Sequence, residues 1–486
     1  MLMICLRNYM NESGSALILA LLALTLLSLL GLFMSLSATT GVQISDNYES
    51  QMQATYASLA GINHARALLR GLDLNDLLKG PDGAYDASAP YIAKARSFEF
   101  RNPVSLLTAL TLDIVDPSSG VAGVSDDGVI STGLYNGIQG IELIPGTGIL
   151  QEAPNPYGSG TIPISRYFVK VSDNSGEASE IAGDPANNPF VDGDGIVIVR
   201  SLGIAKTIPD AAGSILRRNS MALFEARFKR RSTWDLGSAL MVLGSQTSAA
   251  FSGAFEISGG SLPGIGTIDT VPGDLVFPDL TIRAAAGTGG EITGGGEPSP
   301  SIRDITGQVR SNPDQRLLLS PAYLWDFIYN QARGMADNFC EGNQSWPGGG
   351  APDLGTYDAS KPWNAPGQDP KITVVQGDLQ IGGNLSGSGL LIVTGNFTYS
   401  GAFAFNGLVL VVGSGNLIAA GSGTGIEGGV LVANLTNAGG GIAFGSSSIS
   451  VAGNSRIVSN KANVRMAIGL IPVSQISFRE IVSSDP

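Results

Sequence analysis

From Ser13 to Ser45 the chain carries no charged residue, and the core of that stretch reads "ALILALLALTLLSLLGLF". At ~1.5 Å of rise per helical residue it exceeds the ~20 residues that a bilayer crossing needs. A secretory signal has a shorter apolar region with small residues after it. Here the small pair Gly14-Ser15 comes before the run. A cut between them would remove a polar leader and keep the helix. Helical periodicity continues through 46–72, where Met52, Tyr56, Leu59, Ile62 and Leu69 recur at helical spacing. The predicted element is one helix over 15–80, apolar all round at first and amphipathic later, with Gly71 and Gly80-Pro81 as stops.

The rest of the chain is of another kind. With 66 glycines, 25 prolines and 14% charged residues, it suits turn-rich β structure. Its 486 residues call for two or more domains. A net charge of -13 and a pI near 4.6 exclude nucleic acid as a partner, since phosphate binding draws on Lys and Arg clusters. The one basic run, Arg227, Lys229, Arg230 and Arg231, reads as the solvated end of a strand.

The next expected domain is 81–235, with strand signals from about 97 to 231: "RYFVKVSDN" (166–174), "DGIVIVRSLGIAKT" (194–207) and "NSMALFEARFKRR" (219–231). They predict an antiparallel sheet packed on the amphipathic half of the helix. After Trp234, Gly-Asp/Asn-Leu/Phe steps recur at 377, 395 and 415, each preceded by an apolar burst. This spacing predicts that 236–486 is a right-handed parallel β-helix-like domain whose turns bury their apolar faces by stacking. An irregular β-sandwich is the alternative. A helical insertion is expected near 317–340, with Ser320 as N-cap and Pro321 at the first helical position. It would lie across the repeat as a lid or end plug. The fold class is therefore α+β.

Little of the sequence points to catalysis. His64 is the only histidine and sits in the long helix, and no Gly-Lys dipeptide of a phosphate loop occurs. Asp378 and Glu427 read as isolated, solvated acids. No catalytic residues are assigned, and the protein is not expected to be an enzyme. A polysaccharide-cleaving site built on two carboxylates is the surviving alternative. One acidic loop, 172–195, carries Asp173, Asn174, Glu177, Asp184, Asp192 and Asp194, together with Glu180, Asn187 and Asn188. These oxygens could serve calcium, or simply form an acidic surface turn. No other cofactor is expected.

The segment "ESG|SALILALLAL" resembles the class III signal of type IV pilins and pseudopilins. The stretch "ATYASLAGINHARALL" (54–69) and the later "YFVKVSDN" and "DGIVIVRSLGIAK" are similar to PilX-type minor pilins and GspK-type pseudopilins. The resemblance implies cleavage after Gly14 by a prepilin peptidase, with Ser15 as the new, methylated N-terminus. It also implies an α/β pilin-type head, a single-pass stay in the inner membrane, and partnership with other pilins and minor pilins through the helix. The implied function is that of a minor pilin that helps to initiate a type IV pilus and displays a large domain, with a role in cell adhesion, extracellularly at the filament tip. Two positions depart from the pattern: Leu19 stands where major pilins carry glutamate, and Ser15 replaces the usual phenylalanine. Alternatives are a GspK-like pseudopilin of a type II secretion system, a membrane-anchored β-helical polysaccharide-active enzyme, and a signal-anchored surface protein.

Overall fold

The computed structural model describes residues 2–70, 74, 129–130, 149–154, 161–174, 195–205, 220–230 and 232–481, apart from 245, 272, 287–289, 349, 362–366 and 439–440. Helix α1 (Leu2–Leu68) is a single element of 67 residues, on the order of 100 Å long. Residues 16–49 of it are exposed, and from about residue 50 it lies on an antiparallel sheet.

In that sheet β1 (Val129–Ile130) and β2 (Ile149–Pro154) both pair with β3 (Thr161–Asp173), followed by β4 (Ile196–Ala205) and β5 (Ser220–Lys229). Val169 and Val171 of β3, Val197 and Val199 of β4, and Ala222, Ala226 and Phe228 of β5 face α1 and form one core with it. Period-two alternation of β-branched and aromatic residues puts this set on a single face. The last strand, Ser474–Glu480, pairs antiparallel with β5, with Arg479 opposite Glu225. The expected division at 235/236 is therefore corrected at its far end: the chain leaves the head sheet after β5 and returns to complete it. Everything between is an insertion.

The insertion is a stack of parallel strands. Ile372 pairs with Leu390, and Leu390 with Leu408. On a second ladder Leu379 pairs with Phe397, and Phe397 with Leu417. Inside lie Val375, Leu391, Val393, Phe397, Tyr399, Phe403, Val409 and Val411. The stack is built from two arms. Residues 240–304 form one: β6 (Leu240–Leu243), β7 (Thr247–Ser252), β8 (Glu256–Ser258) and β9 (Ile265–Ile268), continued by Glu291–Thr293 and Ile302–Asp304. The chain then crosses back and builds the second arm from Asn338 to Ser459, whose final turn docks in parallel on the first arm, Val430 beside Leu240, Ser447 beside Thr247 and Arg456 beside Glu256.

One side of the stack is apolar on both faces, which is why its strands read as uninterrupted bursts. Outward-facing Met241, Leu243, Ile372, Leu390, Ile392, Leu408 and Leu410 are covered by the crossing segment and by a helix at Lys461–Gly469. The crossing segment contains Pro321–Asp326, a π-helical turn Phe327–Gln331 and Ala332–Met335. Ser320 caps it, its hydroxyl accepting from the Tyr323 amide at 3.2 Å. It covers a side of the stack and not an end, because its buried Leu324, Phe327 and Ile328 match that apolar side. The end is closed by a helix the repeat pattern did not foretell, α2 (Pro278–Ala285), which buries Ile282 in the inner core.

Candidate functional site: the exposed helix and its seat

The uncovered half of α1 is long and apolar enough to cross a membrane. Leu17, Leu19, Leu24, Leu27 and Phe33 are all more than half exposed, Leu19 at 68%. Four of the hydroxyls there are bonded within the helix. The hydroxyls of Thr25, Ser28, Thr39 and Thr40 donate to the carbonyls of Leu22, Leu24, Ser35 and Leu36 at 2.8–2.9 Å. An unmade hydrogen bond is expensive where water is absent, and these bonds remove that cost. Gly14 and Ser15 lie within α1, immediately before this surface.

The part of α1 from residue 50 onward is fixed by small residues. Ala54, Ala57, Ser58 and Ala65 are fully buried against the sheet. At Gly61 an added Cβ would meet Val169 Cγ2 at 2.9 Å, and at Gly203 it would meet Ser58 Cβ at 2.9 Å and run into the Ala54 carbonyl. Helix and sheet are thus in near backbone contact. Ser58 Oγ donates to the Ser201 carbonyl at 2.5 Å. The Tyr167 hydroxyl and His64 Nδ1 form a buried hydrogen bond of 2.7 Å, so the one histidine is a pin between helix and sheet. The large apolar positions anticipated for this face are corrected in one case: Tyr56 is 60% exposed. A stripe of alanine, serine and glycine brings the helix too close to the sheet for a tyrosine to fit beneath it.

The end of α1 also holds the insertion. The Arg70 guanidinium donates to the Met335 carbonyl and to Asp337 at 3.1 Å each, and to the Leu470 carbonyl at 3.3 Å. Arg230 donates to the Leu69 carbonyl, and Lys229 pairs with Asp314 at 3.3 Å. Lys229 and Arg230 are therefore part of a neck joining head and insertion, whereas Arg227 of the same run is exposed and Arg231 lies outside the described residues. On β5, Glu225 is buried between Arg200 at 2.9 Å and Arg479 at 3.0 Å. Burial pushes its carboxyl upward, but the Arg479 and Arg200 guanidiniums together outweigh that and hold it below the ordinary range.

The acids of the repeat are partnered too. Asp378 accepts from the Asn396 amide at 2.8 Å and from its side chain at 3.1 Å, 18 residues on, and Asn416 donates to Asn396 after a further 20. Glu427 pairs with Arg456 at 2.9 Å. Both acids expected to be isolated are thus partnered, and Arg456 also pairs with Glu256 at 3.0 Å. Of the proposed calcium ligands, Asp173 ends β3 and Asn174 follows it, half-buried. Glu177, Asp184, Asp192 and Asp194 lie outside the described residues. Among the described residues no group of three His, Cys, Asp or Glu side chains could hold a metal ion.

No family model and no curated protein matches the chain. Among solved structures it is similar to the competence-associated pilin ComZ from Thermus thermophilus, at a TM-score of 0.22 and 12% identity, over 89% of this chain and 97% of that one. At that score the likeness carries no assignment.

Proposed function

We propose that this protein is a minor pilin of the type IV class, of the PilX-like branch, in which α1 is first a membrane anchor and then the assembly element. The observation that supports this reading is the division of α1 itself. One part presents a long, charge-free apolar surface with four of its hydroxyls bonded internally, and the other is clamped to a folded head. Such a helix can exchange lipid contacts for contacts with the helices of other pilins without meeting water. On this reading a prepilin peptidase cuts after Gly14 and methylates Ser15. The insertion is a right-handed parallel β-helix displayed at the filament tip for adhesion, and the protein is not an enzyme. Leu19 supports the tip position, because a subunit with no predecessor needs no acid there and keeps a fully apolar helix.

Intact-mass analysis of the protein from cells with active prepilin peptidase tests the reading: the mature form should begin at Ser15, and Gly14→Leu should leave the precursor. Retention of residues 1–14 in the wild type would end it. Calcium on the loop from Asp173 belongs to the same proposal. Chelation should then lower the melting temperature and added calcium restore it, because a ligand of the folded state stabilises by mass action; a melting curve indifferent to millimolar calcium would remove the metal from the proposal.

A further inference from the structure

The crossing segment presses Leu324, Phe327 and Ile328 onto the stack, and a second row of side chains runs beside them. Trp325, Tyr329 and Arg333 recur every four residues, a span of ~12 Å at helical rise. Trp325 and Tyr329 are half-buried and rest on the apolar side of the stack, their ring centroids 4.2 Å apart and their planes tilted by 35°. Among the described residues neither the Trp325 indole N–H nor the Tyr329 hydroxyl has a hydrogen-bond partner, and neither is shut off from solvent. Arg333 is exposed, with its guanidinium over the Phe339 ring at 4.7 Å.

Polar groups are fixed along the edge of this row. The Asn330 amide donates to Asp326 Oδ1 and the Gln331 amide to Asp326 Oδ2, at 2.7 Å each. In an α-helix the fifth residue on lies well round the cylinder from the first. The wider π-helical turn at Phe327–Gln331 brings both amides to one carboxylate, and such turns recur at functional sites. The two amides hold the Asp326 carboxyl below the ordinary carboxylate range, so it remains an acceptor. Asn330 and Gln331 are exposed, and each keeps a carbonyl oxygen and a second N–H beyond the bond it makes to Asp326.

The row therefore offers partly uncovered rings with donors and acceptors held at their rim. A purely apolar partner would strip water from those polar groups and replace none of its hydrogen bonds. A sugar ring satisfies both parts. Its C–H face lies on an aromatic face, and its hydroxyls donate to Asp326 and accept from Asn330 and Arg333. We propose that this π-helical turn carries a saccharide-binding platform, with one sugar ring on Trp325 and Tyr329 and the chain continuing toward Arg333. The platform stands on its own residues and does not rest on the pilin reading. Joined to that reading, it makes the adhesive target a glycan.

The test is titration of the full-length protein with maltopentaose, cellopentaose, chitopentaose and mannopentaose, in a detergent that has no sugar headgroup. At least one should bind with a dissociation constant of about 1 mM or tighter and change the tryptophan emission. Trp325→Ala should weaken binding by about tenfold or more, through loss of the ring contact. Asn330→Ala, at an exposed position, should weaken it about threefold, as for one lost hydrogen bond. Trp325→Phe keeps a ring packed on the stack and should abolish the emission change, which places the sugar at this residue whatever the alanine variants do to folding. Binding by none of the four, or an emission change that survives in Trp325→Phe, would overturn the proposal. Processing at Gly14 is read by mass alone, so either reading can fail without the other.

Discussion

Glu225 shows at the level of one residue how the two ends of the chain are held together. Its carboxylate is buried, and the guanidiniums that keep it charged come from neighbouring β4 and from the last strand. A group whose folded pKa lies below its unfolded one contributes stability that is present above the ordinary carboxylate range. That contribution is lost as the pH falls through the lowered value. Arg479→Gln leaves Arg200, with the more distant Arg227 at 4.0 Å, against the effect of burial, so the folded pKa moves up. The acid-unfolding midpoint of the variant should therefore lie at higher pH than that of the wild type. The stability difference between them should be widest near neutrality and close as both are acidified. Urea melts over a pH series read this directly, and a gap that is constant with pH would mean that Arg479 acts through packing alone. Nothing in the sequence singled out Glu225, since a lone glutamate in "MALFEARF" reads as the solvent face of a strand. Its partner lies 254 residues away.

Among the elements, α1 and its seat show what periodicity captures and what it misses. The apolar run, the helical continuation past residue 46 and the Ser320-Pro321 start were legible because each is local: a length, a spacing, a cap. The corners of the stack were legible as well. Gly-Asp and Gly-Asn steps recur because Asp378, Asn396 and Asn416 form a hydrogen-bonded column there. Nearby Gly389, Gly407 and Gly428 sit in register at positive φ, where a side chain would strike the backbone of the turn below. The seat of α1 was misread because hydrophobic periodicity weights large residues, whereas close approach selects small ones. Gly203 marks the closest point. Gly203→Ala should force helix and sheet apart and cost about 1–3 kcal/mol, the range for overpacking a well-filled core. Chemical denaturation checks this, with Gly307→Ala, where an added Cβ meets nothing within 4 Å, as the matched control. Equal losses in the two variants would show that the near backbone contact is not what fixes the helix.

Over the whole molecule, the arrangement least visible in the sequence is that the stack is an insertion in the head sheet. Its own closure is equally non-local, since its last turn docks on its first strands, with Ser447 bonded to the Leu243 carbonyl across 204 residues. Repeat spacing reveals neighbours 18 or 20 residues apart, but no local signal marks a pairing between segments so distant. The physical consequence is a division of cores. The head core draws on α1, β3, β4, β5 and Val473, whereas the two cores of the insertion draw on residues from Trp234 to Ile471 and share no member with it. Removal of residues 474–486 takes away the edge strand of the head, the stack of Phe478 on Phe224 at 5.2 Å and the Arg479 partner of Glu225. It leaves both cores of the insertion whole, and its docking contacts among β6, β7, β8 and the second arm intact. The truncated protein should therefore unfold in two steps, with the head lost at lower temperature and the insertion melting where it does in the full chain. Calorimetry of the two proteins side by side, with protease cleavage mapped to α1 and β3–β5 in the truncated form, measures this. If both parts were lost together at the lower temperature, the neck contacts of Arg70, Lys229 and Arg230 would have to carry enough coupling to make head and insertion one cooperative unit despite their separate cores.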